Sequence, residues 1–192
     1  MKKKLMTVLA LVLVIAMSVA GTYAYLTSKA EVKNTFTVGK VAITLDEASV
    51  DQWGAAIAGA DRVTKNTYKL MPGHDYTKDP TVHFQAKSEA SYLFVKVENG
   101  ISKIEAAGNT IAAQIAANEW TALDGVTNVY YKQVEANTTE NAIDYPVFGS
   151  FKIADNAKTD EYGNANITVT AYAVQKDGFS AAIAAWNATF GK

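Results

Sequence analysis

The sequence predicts a mostly β protein: a jelly-roll-like antiparallel β-sandwich with one or two short helices, preceded by a signal peptide and an extended N-terminal arm. About eight short segments alternate apolar and polar residues between turn signals, as is typical of a sandwich. The 192 residues are 49% hydrophobic, enough to form one core, and include no cysteine. Packing and hydrogen bonds must therefore stabilise the domain without disulfides. At the N-terminus a basic, then apolar stretch leads directly into a β-prone one.

The N-terminal stretch has the three parts of a secretory signal. Met1–Lys4 is basic, Leu5–Ala20 is an unbroken apolar run, and Gly21–Ala24 is a small-residue exit. We predict a signal peptide over 1–24 that is cut between Ala24 and Tyr25. The alternative is a retained membrane anchor, but a spanning helix needs about 20 apolar residues and this run is shorter. The rest divides into an arm over 25–37 and a single β-sandwich domain over 38–192.

The strands are predicted in order along the domain. Val41, Ile43 and Leu45 alternate after Gly39, which shifts the phase and indicates a β-bulge. A long loop follows over Asp46–Val63. Further strands are predicted over Thr64–Leu70, the segment that starts at Pro80, Tyr92–Glu98, Trp120–Leu123, Asn128–Val134, Pro146–Ile153 and Asn166–Gln175. Met71-Pro72-Gly73 and Asp124-Gly125 are the clearest turn signals between them.

Two segments favour helix. Ile101–Asn118 is alanine-rich, with Ile104, Ile111 and Ile115 at helical spacing. Near the C-terminus, four large apolar residues share one helical face, which we interpret as packing on the sandwich rather than docking another subunit. Asp177 or Ser180 would cap that second helix. The four residues of the stripe are Phe179, Ile183, Trp186 and Phe190.

Three blocks resemble one known family. Gly21–Leu45 combines a Tyr23-Ala24 cut site, Asn34-Thr35-Phe36, Gly39 and a short apolar strand. Leu70–Asp79 contains Pro72-Gly73 and ends in Lys78-Asp79, and Ile167–Gln175 is similar to a closing strand. In this order they resemble the proteins processed by the SipW-type signal peptidase, the TasA and CalY (camelysin) family of biofilm-matrix fibre proteins. Ile101–Thr139 matches no family that we can name.

The resemblance implies a secreted structural subunit of extracellular or cell-surface fibres. Each subunit would donate its arm to the next, because an open sheet edge leaves backbone groups unpaired and head-to-tail contacts form filaments. The implied partners are further copies of the chain, a signal peptidase of the SipW type, and an accessory matrix protein. The apolar anchors of the arm would be Tyr25, Leu26, Val32 and Phe36. The alternative is that the arm is a free leader or its own domain's first strand.

The sequence contains few residues in patterns that are typical of catalytic sites. His74 and His83 are the two histidines, and they do not form the His-Glu-x-x-His pattern of a zinc protease. The metalloprotease label of the camelysin branch is therefore not carried over, and we predict a non-enzyme without a cofactor. Asp155, Asp160 and Asn164 share an oxygen-rich loop that could hold calcium, although such residues also serve turns.

Charge and aromatic content limit the remaining classes. The net charge is −1, and removing Lys2–Lys4 leaves −4, with Arg62 as the one arginine. This balance argues against a nucleic-acid partner. Two alternatives to a fibre subunit stay open: a camelysin-like metalloendopeptidase, and a monomeric exported module that binds carbohydrate or a surface. The second would use exposed aromatic residues, for which the candidates are Trp53, Trp120, Tyr130 and Tyr131.

Overall fold

The computed structural model describes residues 39–158, 162 and 165–191. The chain divides into two units, Met1–Val38 and Gly39–Lys192, and the described residues belong to the second. The predicted signal peptide, its cut site and the arm therefore lie outside the described residues. In the described part, nine strands and two helices follow one another. Their bounds are β1 Ile43–Asp46, β2 Asp75–Thr77, β3 Thr81–Phe84, β4 Ser91–Asn99, α1 Ile111–Ala117, β5 Thr121–Ala122, β6 Val129–Val134, β7 Ile143–Pro146, β8 Ser150–Lys152, β9 Ile167–Gln175 and α2 Ala182–Thr189.

The strands form antiparallel sheets, which confirms the predicted fold class of a mostly β sandwich. A four-stranded sheet has the order β5-β6-β4-β9, a three-stranded sheet the order β1-β3-β7, and β2 pairs with β8. The strand that begins after Pro80 is β3, as predicted. The predicted hairpin before Val134 is the β5–β6 pair, in whose turn Gly125 has a φ of +76°.

The central strand β4 is buried on both faces, because its side chains alternate between two cores. Leu93, Val95 and Val97 point into an inner core shared with the other sheets, whereas Tyr92 and Phe94 point into an outer core beneath α2. The four-stranded sheet is thus the middle of three layers. The inner core also contains Val82, Phe84, Val147, Phe148, Phe151 and Ile153.

The second apolar stripe packs on the sheet, as predicted. Phe179, Ile183, Trp186 and Phe190 belong to the outer core or pack against it. The Trp186 ring lies 5.2 Å from that of Phe94, measured between ring centroids. The predicted caps are wrong, because Ala181 is the N-cap and no side chain caps the helix. Neither helix of the described ranges is long and apolar enough to span a membrane.

The first helical segment is shorter than predicted. Only Ile111–Ala117 is helical, and Thr110 ends the preceding turns by accepting a hydrogen bond of 3.2 Å from the Ala113 amide. Glu105 also accepts the Ile111 amide at 2.6 Å. Ile104, Ile111 and Ile115 are nevertheless all buried in the inner core.

Two predicted strands are wrong for the same reason: their backbone groups are bonded elsewhere. Thr64–Leu70 is irregular, since the Lys69 amide donates to the Gln52 carbonyl at 2.7 Å and the Asn66 side chain holds the neighbouring loop. Pro146–Ile153 is divided between β7 and β8, which belong to different sheets. At the break the Val147 amide donates to the Pro80 carbonyl at 2.8 Å.

We predict that the outer core is necessary for stability. Trp186→Ala would open a cavity between α2 and β4 and lower the free energy of unfolding by about 3–4 kcal/mol. Chemical denaturation followed by circular dichroism measures this loss. Ile57→Ala, at a side chain that is 49% exposed, is the control and should change stability by less than about 0.5 kcal/mol. Equal effects of the two variants would contradict the layered packing.

Candidate functional site

A cleft of about 810 Å³ opens between β1 and β9. Its lining comes from the end of β1, the irregular segment after Val63, and the first half of β9. β1 and β9 are the end strands of two different sheets and pack beside each other. The cleft is thus placed where two sheets come together without a shared strand.

One wall of the cleft is an open strand edge on β1. Hydrogen-bonded pairs alternate along an antiparallel ladder. The Gln85 amide donates to the Ala42 carbonyl at 2.9 Å, so Ala42 and Thr44 face β3 with their backbone groups. The backbone groups of Ile43 and Leu45 point the other way, and no described strand pairs with them. The next outward residue, Glu47, does find a partner, since its amide and carbonyl bond Val63 at 2.8 Å each.

The other wall is an open edge on β9. The Gly100 amide donates to the Asn166 carbonyl, and the Lys176 amide to the Ala90 carbonyl, at 2.8 Å each. The even-numbered residues of β9 therefore bond β4, and the odd-numbered ones direct their backbone groups away from it. Within the described ranges, β9 has no second strand neighbour. The outward residues are Ile167, Val169, Ala171, Ala173 and Gln175.

The apolar side chains along the cleft are only half covered. All of them except Val63 pack against the inner core on one side, and all remain partly exposed on the other. Both walls carry half-buried apolar side chains and backbone groups that no described strand pairs with, so an added strand would satisfy both at once. The half-buried apolar residues of the lining are Leu45, Val63, Tyr68, Leu70, Tyr162, Ala165, Ile167 and Val169.

One end of the cleft is polar, and we call Glu47, Asn66 and Lys78 the polar corner. Glu47 and Lys78 form a buried ion pair, with side chains 6% and 10% exposed. The Asn66 amide nitrogen donates to the other oxygen of Glu47 at 2.9 Å and to the Ala48 carbonyl at 2.8 Å. Its amide oxygen accepts the Val50 backbone N–H at 3.1 Å. Every hydrogen-bonding atom of the Asn66 side chain is thereby engaged.

Two tyrosines line the same cleft. The Tyr68 hydroxyl donates to the Thr77 carbonyl at 3.0 Å. Burial, and then the nearby Glu47 charge, raises the pKa of Tyr68. The Tyr162 hydroxyl is buried with no hydrogen-bond partner among the described residues. A buried hydroxyl of this kind is costly unless something pairs with it, so Tyr162 gives the cleft one unused donor.

A second charged cluster lies on the opposite face of the three-stranded sheet from the inner core. His83 of β3 bridges Asp46 of β1 and Asp144 of β7, with Nε2 at 2.8 Å and Nδ1 at 2.6 Å from the carboxylate oxygens. Arg62 contacts Asp46 and also bonds Asp79 at 2.9 Å. The cluster therefore ties all three strands and the loop after β1 together.

The cluster shifts the pKa values of its members in opposite directions. Burial alone would lower the pKa of His83, but hydrogen bonds to Asp46 and Asp144 outweigh it and raise the pKa above its usual value. Burial alone would raise the pKa of Asp46, but hydrogen bonds from Arg62 and His83 hold it below its usual value. His83 is thus favoured in its charged form, in which both ring nitrogens donate.

The structure separates the two histidines. His74 lies just after a turn and His83 in a strand. His74 Nε2 lies 2.8 Å from the Trp53 carbonyl oxygen. Across residues 39–158, 162 and 165–191, no group of three or more His, Cys, Asp or Glu side chains could hold a metal. His83 is not a simple surface histidine, because two carboxylates hold it.

Several predicted site residues are not placed by the structure. Ala24, Tyr25, Leu26, Val32 and Phe36 lie outside the described residues, and so do Asp160 and Asn164. The third calcium candidate, Asp155, is exposed. Its carboxylate lies against Gly73, where a β-carbon would approach the oxygen to 2.4 Å. Calcium binding stays a prediction.

The prediction of an aromatic binding surface is wrong at one of its four positions. Trp120 is 3% exposed and its ring nitrogen donates to the Pro146 carbonyl at 2.9 Å. Trp53 is half-buried, with the Lys69 amine over its ring. Tyr130 and Tyr131 are half-buried against the inner and outer cores respectively. The four residues therefore do not form one exposed surface.

Comparison with known proteins gives one match. The sequence model of a family described as camelysin metallo-endopeptidase matches residues 1–71. The match confirms the family resemblance over this N-terminal part, which includes β1 and the loop with Arg62 and Asn66. No curated protein and no solved structure matches the chain.

We predict that the His83 cluster makes stability depend on pH. Because folding raises the pKa of His83, its contribution is complete below the unfolded-state value of about 6.5 and is lost as the pH rises through the higher folded value. His83→Gln should therefore destabilise the domain more at about pH 6 than at about pH 9. Urea unfolding across this range measures the difference, with His74→Gln as the control. A loss for His83→Gln that does not vary with pH would contradict the prediction.

Proposed function

We propose that this chain, whose first 71 residues match the camelysin family model, is a secreted structural subunit of extracellular-matrix fibres. The observation that carries the proposal is the cleft with an open strand edge on each side. Such a cleft is what a strand from another molecule needs, because backbone hydrogen bonds provide affinity and alternate side chains provide specificity. Successive subunits joined head to tail in this way form a filament.

The arm over 25–37 has the pattern of a donor strand. Leu26, Val32 and Phe36 are separated by even numbers of residues, so in an extended strand they share one face. This face would cover the half-buried side chains of the cleft, while the backbone of the arm pairs with the outward groups of β1 and β9. Tyr25, the other predicted anchor, would lie on the opposite face near the new N-terminus.

The path of the chain before β1 supports donation to a neighbour. The Glu89 amide donates to the Lys40 carbonyl at 2.8 Å, so the chain still runs beside the β3–β4 connection at Lys40. The cleft is lined by Leu45–Glu47, at the other end of β1. About six residues at about 3.3 Å each separate the two points. A strand that enters at Lys40 would have to turn back to fill its own cleft.

Cleavage after Ala24 would control the timing of assembly. Until the cut, the arm remains joined to an apolar leader that the export machinery holds at the membrane. After the cut, the arm begins at Tyr25 and is free to enter another subunit. The proposed location is therefore the extracellular matrix or the cell surface, and the proposed processing partner is a signal peptidase of the SipW type.

The family description names a metallo-endopeptidase, which conflicts with a purely structural role. We favour the structural role because the two histidines make separate contacts and the described ranges contain no group of residues suited to a metal. The proposal is therefore a non-enzymatic protein.

We predict that fibre formation requires the arm. The mature chain from Tyr25 should form filaments in electron microscopy, and deletion of residues 25–37 should abolish them while the circular dichroism spectrum stays that of a folded β domain. A synthetic peptide of residues 25–37 should also cap growing ends and shorten filaments. Mature chains that remain monomeric at high concentration would contradict the proposal.

A matched pair of proline variants tests the acceptor side. Ala171→Pro removes an outward N–H from the open edge of β9, and Ala122→Pro removes an outward N–H from β5, at the opposite edge of the same sheet. Only Ala171→Pro should reduce filament formation. Equal effects of both variants would exclude β9 as the acceptor edge.

We predict that the secreted protein begins at Tyr25. Mass spectrometry of the culture supernatant should find a chain without residues 1–24. Ala24→Trp should block the cut, because a signal peptidase accepts only small residues there, and filaments should then be absent outside the cell. An uncut leader on wild-type filaments would contradict the proposed timing.

A further inference from the structure

The polar corner brings together a lysine, a glutamate and an asparagine from three separate segments of the sequence. Glu47 lies between the other two: one carboxylate oxygen contacts Lys78 Nζ, and the other accepts from Asn66 Nδ2 at 2.9 Å. The Asn66 amide oxygen accepts the Val50 N–H at 3.1 Å. A buried ion pair explains the Lys78–Glu47 contact alone, but not why an amide is held on the same carboxylate with its carbonyl polarised by an N–H.

We propose that Lys78 and Asn66 become joined by an intramolecular amide bond, with Glu47 transferring the protons. The three groups fill the roles that the reaction needs: an amine as nucleophile, an amide carbon as electrophile, and a carboxylate that accepts from both the amine and the amide nitrogen. The Val50 N–H occupies the place of an oxyanion donor, because it already points at the oxygen on which charge develops. This inference is independent of fibre assembly.

The atoms and charges balance without any further reactant. Glu47 accepts one proton from the Lys78 ammonium, which leaves a neutral amine to attack Cγ of Asn66. The Nζ–Cγ bond forms and the Cγ–Nδ2 bond breaks. Glu47 relays the second Nζ proton to Nδ2, and its own acquired proton follows, so that the nitrogen leaves as ammonium and Glu47 is a carboxylate again.

The surroundings favour this reaction over a static ion pair. The Glu47 and Lys78 side chains are 6% and 10% exposed, so little water can compete with the amine for the amide carbon. The new amide would keep two of the three hydrogen bonds of Asn66, because its oxygen still accepts from Val50 and its one N–H can donate to Glu47, whereas the Ala48 carbonyl would lose its donor. Neither the Val50 N–H nor the Glu47 carboxylate would then lack a hydrogen-bond partner.

The bond would cross-link two parts of the chain: the irregular segment that contains Asn66, and the connection between β2 and β3 that contains Lys78. It would close a short loop around the turn at Pro72–Gly73, in a chain without cysteine. A covalent link of this kind restricts the unfolded chain as a disulfide does, and it is independent of redox conditions.

Mass spectrometry of the full secreted chain tests the proposal. The intact mass should be about 17 Da below the sequence mass, the mass of one ammonia. Trypsin should cut after Lys65, Lys69 and Lys87 but not after the acylated Lys78. The digest should therefore contain residues 66–69 joined to residues 70–87, and fragmentation should locate the link on Asn66 and Lys78.

Three variants and one control make the result specific. Glu47→Gln, Lys78→Arg and Asn66→Ala should each have the full sequence mass, and Lys78→Arg retains the positive charge beside Glu47 so that folding is preserved. Asn118→Ala, at a side chain that bonds the Val147 carbonyl and no lysine, should retain the deficit. A succinimide at Asn99-Gly100 also loses ammonia, but mild alkali hydrolyses it by adding one water, to about 1 Da above the sequence mass, and leaves the mass of the cross-link unchanged.

Two outcomes would overturn the proposal. The first is a wild-type chain of full sequence mass whose tryptic digest contains residues 70–78 as a free peptide. The second is a deficit that persists in Lys78→Arg or Asn66→Ala, since the ammonia would then come from another site.

Discussion

The ladder between β4 and β9 is the interaction on which the rest of the structure depends. It uses the even-numbered backbone groups of β9, and thereby turns the odd-numbered ones outward along the cleft. The same pairing places alternate side chains of β4 in two cores, so that one strand supports both the inner core and α2. The open edge and the covered face of this sheet are therefore consequences of one register.

The sequence predicted the elements whose pattern is local. Period-two alternation identified β4 and β9 almost to their ends, and the spacing from Phe179 to Phe190 identified the face of α2. It failed where long-range bonds decide the local conformation. Thr64–Leu70 has the composition of a strand, yet the Lys69 amide bonds Gln52 instead of a sheet neighbour. At Pro146–Ile153 the strand divides because the Val147 amide bonds Pro80.

The charged clusters were not predictable from the sequence for a related reason. Lys78 lies at the end of one family block, but no sequence pattern joins it to Glu47 and Asn66, and the pairing of Glu47 with Val63 brings the latter two together. His83 and Asp144 meet across a strand pair whose register no local pattern fixes. Among the residues of these clusters, only Asp46 stood out in the sequence, because it places a charge at the end of the alternating run of β1.

The helix α2 has a consequence for the shape of any polymer. Helix α2 and its aromatic side chains cover one face of the four-stranded sheet. The three-stranded sheet covers the other face. If protomers join through strand edges, neither face of the four-stranded sheet, as far as the described residues go, offers a flat apolar surface to a parallel filament, so growth would follow one axis. Such threads would stay one molecule thick and would not bundle into amyloid-like sheets.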